Sequence, residues 1–146
     1  VDIFETIEQD HQVQRELMEK ILATSGDSEE RRELFSKFRT EFEAHAAAEE
    51  HAFYAEMMKH ESTTDQSRHS VAEHSEAIEL IEKLEKTEMS NPAWLTTFQK
   101  LAHENEHHMK EEEDDVFPLV KKEFDKSLLD KMVPVFNSRK KNEELA

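Results

Sequence analysis

The sequence predicts an all-α protein, an antiparallel up-down-up-down four-helix bundle with a short C-terminal helix. Three observations carry that prediction. One glycine and three prolines stand in 146 residues, beside abundant Glu, Lys, Ala and Leu, which leaves few breakers for a chain of strands and turns. Apolar residues recur at steps of three and four, the spacing that gathers them on one helical face. Short polar stretches interrupt that rhythm, and short connections make neighbouring helices antiparallel.

Helix 1 is expected over about 3–24. Asp2, with Glu5 three residues on, has the form of a capping box, and the stripe runs Phe4, Ile7, His11, Gln14, Met18, Ile21. Thr24 to Asp27 ends it, Gly26 being free to take a left-handed cap. Helix 2, about 28–60, starts at Asp27 or Ser28 and carries Leu34, Phe38, Phe42, His45, Glu49, Ala52 or Phe53, and Met57. The polar run Glu61 to Asp65 is read as the next turn. Helix 3, about 64–87, presents Val71, His74, Ile78, Ile81 and Leu84 or Glu85. Ser90-Asn91-Pro92 is the clearest boundary, since Asn caps and Pro suits the first helical position. Helix 4, about 92–124, reads Trp94, Phe98, Leu101, Asn105, His108, Glu112, Val116, Leu119, and Pro118 is expected to kink or end it. A tail helix over about 127–138 is expected to cover one end of the bundle, with Arg139 to Ala146 frayed. The whole chain, 1–146, reads as a single domain.

Composition excludes several functions. Thirty-five acidic against nineteen basic residues give a formal charge of -16, which repels phosphate backbones and anionic lipid headgroups. Neither nucleic acid nor a membrane is an expected partner, and no protein partner is indicated. With no cysteine, disulfides and thiolate metal sites are out. No charged-then-apolar leader is visible at the start, and no apolar run approaches the ~20 residues that span a bilayer. The expectation is a soluble, cytoplasmic protein.

An internal repeat organises the chain. His45 with Glu49 and Tyr54 recurs 63 residues later as His108 with Glu112 and Phe117, and His11 recurs as His74. Apolar positions follow the same shift, among them Leu17/Leu80, Ile21/Leu84, Phe35/Phe98 and Met57/Val120. One helical hairpin is used twice, each copy supplying a lone histidine and a His-x-x-x-Glu pair. Positions i and i+4 share a helical face, about 6 Å apart along the axis. Counted from the turns at about 1.5 Å per residue, all four histidines reach one height within about a turn.

A buried layer of four imidazoles and two carboxylates needs compensation, because each unpaired polar group costs about 1 to 3 kcal/mol. A hydrogen-bonded His–Glu network is one answer, and a pair of cations bridged by the carboxylates is the more economical one. Nitrogen and oxygen donors without sulfur suit iron, manganese, zinc or cobalt, and bridging carboxylates with terminal histidines point most often to iron. With Glu49 and Glu112 bridging, two histidines on each metal and an oxo or hydroxo bridge between them, one position per metal stays open for a small ligand.

His11, His45 with Glu49, His74, and His108 with Glu112, followed by Val116-Phe117-Pro118, resemble the H, HxxxE, H, HxxxE pattern of the hemerythrin-like HHE cation-binding domains, over essentially the whole chain. The resemblance implies a bundle around a non-heme di-iron centre, two iron ions with an oxo or hydroxo bridge. The oxygen-carrying hemerythrins use HxxxH on helix 3 and HxxxxD on helix 4. Here Ser70 stands four before His74, and the helix 4 acid is Glu112 at i+4. Five-histidine oxygen storage is therefore not what the resemblance implies. It points instead to peroxide breakdown, nitric oxide responses, iron–sulfur repair or iron sensing, and the lack of cysteine weakens the repair option. The expected activity is binding and turnover of hydrogen peroxide, dioxygen or nitric oxide. The alternative is a non-catalytic iron or oxygen sensor.

Other residues compete for these roles. His69 with Glu73, and His107 with Glu111, are HxxxE pairs of their own and rivals to His74 and His108. His51, His60 and His103 read as surface residues, and Glu104 as a candidate acceptor from a ligand imidazole. Tyr54, the one tyrosine, is either a core aromatic above the site or a phenol that closes over it as ligand or hydrogen-bond donor.

Overall fold

A computed structural model describes residues 1–146. The helices are α1 (Ile3–Leu22), α2 (Glu29–Glu49, then a π turn Glu50–Tyr54, then Ala55–Met58), α3 (Glu61–Glu85), α4 (Pro92–Glu111, a π turn Glu112–Val116, then Phe117–Glu123) and α5 (Lys126–Leu145). The first four form the expected bundle.

Side-chain caps start four of the five helices, and Asp2, Ser28 and Asn91 are caps the sequence predicts, whereas Asp125 is not. Asp2 accepts from the Glu5 amide at 2.8 Å, Ser28 from Arg31 at 3.1 Å, Asn91 from Ala93 at 2.9 Å and Asp125 from Leu128 at 2.9 Å. Gly26, with φ +64°, lies beyond the Ala23 cap of α1 and turns the chain toward α2. Buried Arg31 ties two turns together. Its guanidinium donates to the Thr24 hydroxyl and carbonyl, both at 2.8 Å, and to the Met89 carbonyl at 3.0 Å, and lies 4.7 Å from the Trp94 ring centroid.

Several boundaries differ from the sequence expectation. The run Glu61 to Asp65 is helical, because the Thr63 hydroxyl donates to the Met57 carbonyl (2.7 Å) and that of Thr64 to the His60 carbonyl (2.6 Å). These bonds hold the polar residues in the first turns of α3. Pro118 neither ends nor breaks α4. The preceding Phe117 amide donates five residues back, to Glu112, and the widened turn makes room for the proline ring. The buried face of α3 is Thr63, Ser67, Ser70, His74, Ala77, Ile81 and Leu84, smaller and more polar than the expected stripe of Val71 and Ile78.

The tail differs most. Helix α5 runs to Leu145 and packs along α2 rather than over one end. Arg139 pairs with Glu143 at 2.8 Å, and the Lys140 ammonium sits 2.6 Å from Asp10 and 2.9 Å from Glu41. The charges expected to fray the tail are what anchor it.

Two apolar clusters of 14 residues flank the middle of the bundle. One gathers Ile3, Phe4, Ile7, Phe53, Tyr54, Phe117 and Phe136, the other Met18, Phe38, Phe42, Ile81, Trp94 and Phe98. The layer between them is polar. No helix is long and apolar enough to cross a membrane. Phe38 is fully buried, its ring 5.5 Å from Phe98 and 6.0 Å from Phe42. Phe38→Ala is expected to cost about 3 to 5 kcal/mol. Chemical denaturation checks this, and metal content measured alongside should stay at the wild-type level.

Candidate metal centre

Four helices each bring one histidine to the polar layer. His11 comes from α1, His45 with Glu49 from α2, His74 from α3, and His108 with Glu112 from α4. None of the six is more than 6% exposed. Imidazole Nε2 atoms face carboxylate oxygens: His11 to Glu112 at 3.0 Å, His74 to Glu49 at 3.2 Å, His45 to Glu49 at 3.4 Å, His108 to Glu112 at 3.9 Å. Donor atoms of His11, His45, Glu49 and Glu112 lie within 4.8 Å of one another, and so do those of Glu49, His74 and His108. Glu49 belongs to both groups.

The other ring nitrogen of every histidine meets a second acid. Nδ1 donates to Glu113 from His11 (2.7 Å), to Asp10 from His45 (2.7 Å), to Glu50 from His74 (3.0 Å) and to Glu73 from His108 (2.8 Å). An ionised carboxylate only accepts, so Nδ1 carries a proton and Nε2 points inward, offering a lone pair whenever the ring is neutral. Asp10 and Glu73, like Glu50 and Glu113, are 63 residues apart. The repeat therefore holds the acids as well as the histidines, and the two halves are related by a pseudo-two-fold axis. The Arg15 guanidinium fixes Glu113 in turn, with contacts of 3.0 and 3.1 Å, and reaches Glu106 at 2.8 Å.

These four acids are not among the site residues expected from the sequence. A signal was present: each directly precedes the lone histidine or directly follows the glutamate of an HxxxE pair, in both copies. Glu104 does not play this part, since Glu73 on the neighbouring helix accepts from His108. His69 and His107 stay outside the buried layer, their side chains 54% and 69% exposed. His51, His60 and His103 are exposed too.

Tyr54 is fully buried, its hydroxyl donates to Glu112 Oε2, and its ring lies 5.5 Å from His74. Its repeat mate Phe117 stacks near His11 at 6.5 Å. Burial, then the charges of Glu112 and Glu49, raise the phenol well above its ordinary range.

Electrostatics in the layer are dominated by burial and by opposed charges. Burial disfavours charged imidazoles, yet Glu49 and Asp10 overcome it and raise His45 to about 10, while Glu49 and Glu50 raise His74 to about 9. Burial also pushes both glutamates up. At Glu49 the facing His45 and His74 prevail and hold the carboxyl well below its usual range, whereas Glu112, beside the charge of Glu49, stays raised.

Whether the site fits a cation is decided by the atoms left over. His11 Nε2, His108 Nε2, both oxygens of Glu49 and Glu112 Oε1 are buried without a hydrogen bond. They crowd the same space, and each would cost about 1 to 3 kcal/mol if left unmatched. Inward lone pairs and carboxylates around one pocket are a cation-binding donor set. The family model described as "Hemerythrin HHE cation binding domain" matches residues 2–120. The chain belongs to this hemerythrin HHE family. Membership makes it a metal-binding domain, and this His/Glu cluster is where the fold offers ligands. A crystal structure of a hemerythrin HHE cation binding domain-containing protein from Mycobacterium kansasii is similar, with 25% sequence identity and a TM-score of 0.85, covering 99% of this chain and 88% of that one. Among curated proteins none matches.

Cations and protons compete for these nitrogens. In the metal-free fold His45 and His74 keep their protons past neutral pH, so their contribution to stability is full below about pH 6.5. It is lost as pH rises through about 9 and about 10. Filling the site displaces those protons. Calorimetric titration in buffers of different ionisation enthalpy should show proton release at pH 7, and apparent metal affinity should climb with pH.

Proposed function

We propose that this protein is a non-heme di-iron protein that binds and turns over a small oxidant such as hydrogen peroxide, dioxygen or nitric oxide. His11, His45, Glu49, His74, His108 and Glu112 would hold the two irons. The observation that carries this reading is the pairing of the layer: two histidines on each half with Glu49 common to both, every imidazole oriented by its own acid. Nitrogen and oxygen donors with shared carboxylates favour iron among the first-row metals. Iron, when bound, supplies Lewis acidity and electrons.

The chain supplies access, dryness and a proton. A cavity of about 350 Å³, lined by Phe42, His74 and His108 among others, opens beside one half of the centre. The Phe136 ring, 5.7 Å from that of His45, closes the other half. Small ligands are thereby directed to the His74–His108 side. Tyr54 stands on that side with its proton kept on the phenol oxygen. This favours a hydrogen-bond donor at Glu112 over a phenolate ligand.

A sensor is the second reading, and one contact favours it. Lys140 of α5 bonds Asp10 at 2.6 Å, and Asp10 accepts from His45 at 2.7 Å, so the tail is two bonds from the centre. Metal-dependent melting without oxidant turnover supports the sensor.

Metal analysis and an optical spectrum before and after peroxide decide between them. Two irons per chain and rapid peroxide loss with an intact cluster are expected; fewer than one metal per chain would refute the proposal. Tyr54→Phe should keep both metals and gain or lose no visible phenolate band. It should slow turnover about ten- to a hundredfold, the equivalent of a charge-assisted hydrogen bond of about 1.5 to 3 kcal/mol.

A further inference from the structure

Two HxxxE pairs keep their histidines outside the buried layer, and the fold brings them together on its surface. His69 Nε2, from α3, lies 3.0 Å from Glu111 on α4 and 3.5 Å from Glu73 on its own helix. Ligand atoms of His69, Glu73 and Glu111 all fall within 4.8 Å of one another. His107 Nε2 adds a contact to Glu111 at 3.6 Å, and the Gln66 amide steadies Glu111 by donating to Oε1 at 3.3 Å. One imidazole and two carboxylates suit a divalent first-row cation.

Three further features point the same way. Glu73 faces two directions, since its Oε2 meets His69 while its Oε1 accepts from buried His108 at 2.8 Å. The surface cluster and the inner layer therefore share a carboxylate. Glu73 and His107 also line the cavity of about 350 Å³ that reaches His74 and His108. The pseudo-symmetry supplies an independent argument. In the first half the Lys140 ammonium sits between Asp10 and Glu41. Their mates 63 residues on are Glu73 and Glu104, and both line that cavity, which no lysine or arginine lines. Where one half places a cationic side chain, the other keeps an acidic hollow of the same parentage.

We propose that His69, Glu73 and Glu111 form a third, peripheral divalent-cation site beside this cavity, joined to it through Glu73, from which the buried centre is filled. The loading role rests on the di-iron reading, whereas binding at the surface does not. A cation held on Glu73 lies one carboxylate from His108. The exposed His69 lets it exchange with solvent, and the cavity leads inward.

The test uses the metal-free chain of residues 1–146. Equilibrium dialysis against Mn²⁺ with metal analysis counts bound cations, and rapid mixing with Co²⁺ follows filling by absorbance. Wild type is expected to hold two cations tightly and a third more weakly. The His69→Ala/Glu111→Gln variant should keep the tight pair, lose the third and fill at least tenfold more slowly. His69→Ala alone, at an exposed position, repeats the comparison should the double variant unfold. A variant that retains the third cation, or fills at the wild-type rate, overturns the proposal. A wild type without a tight pair sinks the di-iron reading and the loading role together, and the surface site is then judged by the dialysis count alone.

Discussion

Everything in this bundle answers to one constraint, the burial of four imidazoles and two carboxylates between two apolar clusters. Dry surroundings make unmatched lone pairs expensive and opposed charges strong. The chain meets the outer half of the problem itself, by giving each Nδ1 an acid of its own. On the inner half His11 Nε2, His108 Nε2 and both oxygens of Glu49 find no protein hydrogen bond, the arrangement that suits a cation. Helix spacing, turn lengths and the placement of phenylalanines above and below the layer all serve that arrangement.

Much of this was legible in the sequence, and the reason is periodicity. Steps of three and four fix which face of each helix is buried, and the 63-residue repeat ties the two hairpins to one another. The six donors could be read because they sit on the apolar stripe, where a polar residue is conspicuous. Their acidic partners could not be read so easily. Asp10, Glu50, Glu73 and Glu113 lie one position away from the stripe, where an acid in a chain of this charge looks like ordinary solvated surface. The small buried residues of α3, such as Ser67 and Ser70, are invisible to hydropathy for a related reason. They are buried because neighbouring helices approach closely there, and closeness is a property of the pair.

The tail illustrates a second limit. Lys140 looks disposable beside Arg139, Lys141 and Glu143, and its value comes only from Asp10 and Glu41, about a hundred residues or more away in sequence. Once it docks, α5 covers His45 through Phe136 and leaves the His74–His108 side without an equivalent cover. Two halves that repeat one another in sequence thus meet unequal surroundings, and the asymmetry of the site comes from an element outside the repeat.

The π turns have a consequence of their own. Each begins at or directly after a glutamate of the inner layer, at Glu50 and Glu112, and each inserts about one residue's worth of rotation into its helix. The segment beyond is thereby turned by about 100° relative to the segment before it. Tyr54 in one copy and Phe117 in the other stand at the far end of these turns, against the rings of His74 and His11. A helix so divided is two segments in different phase, one carrying the ligand residues and the other the ceiling above them.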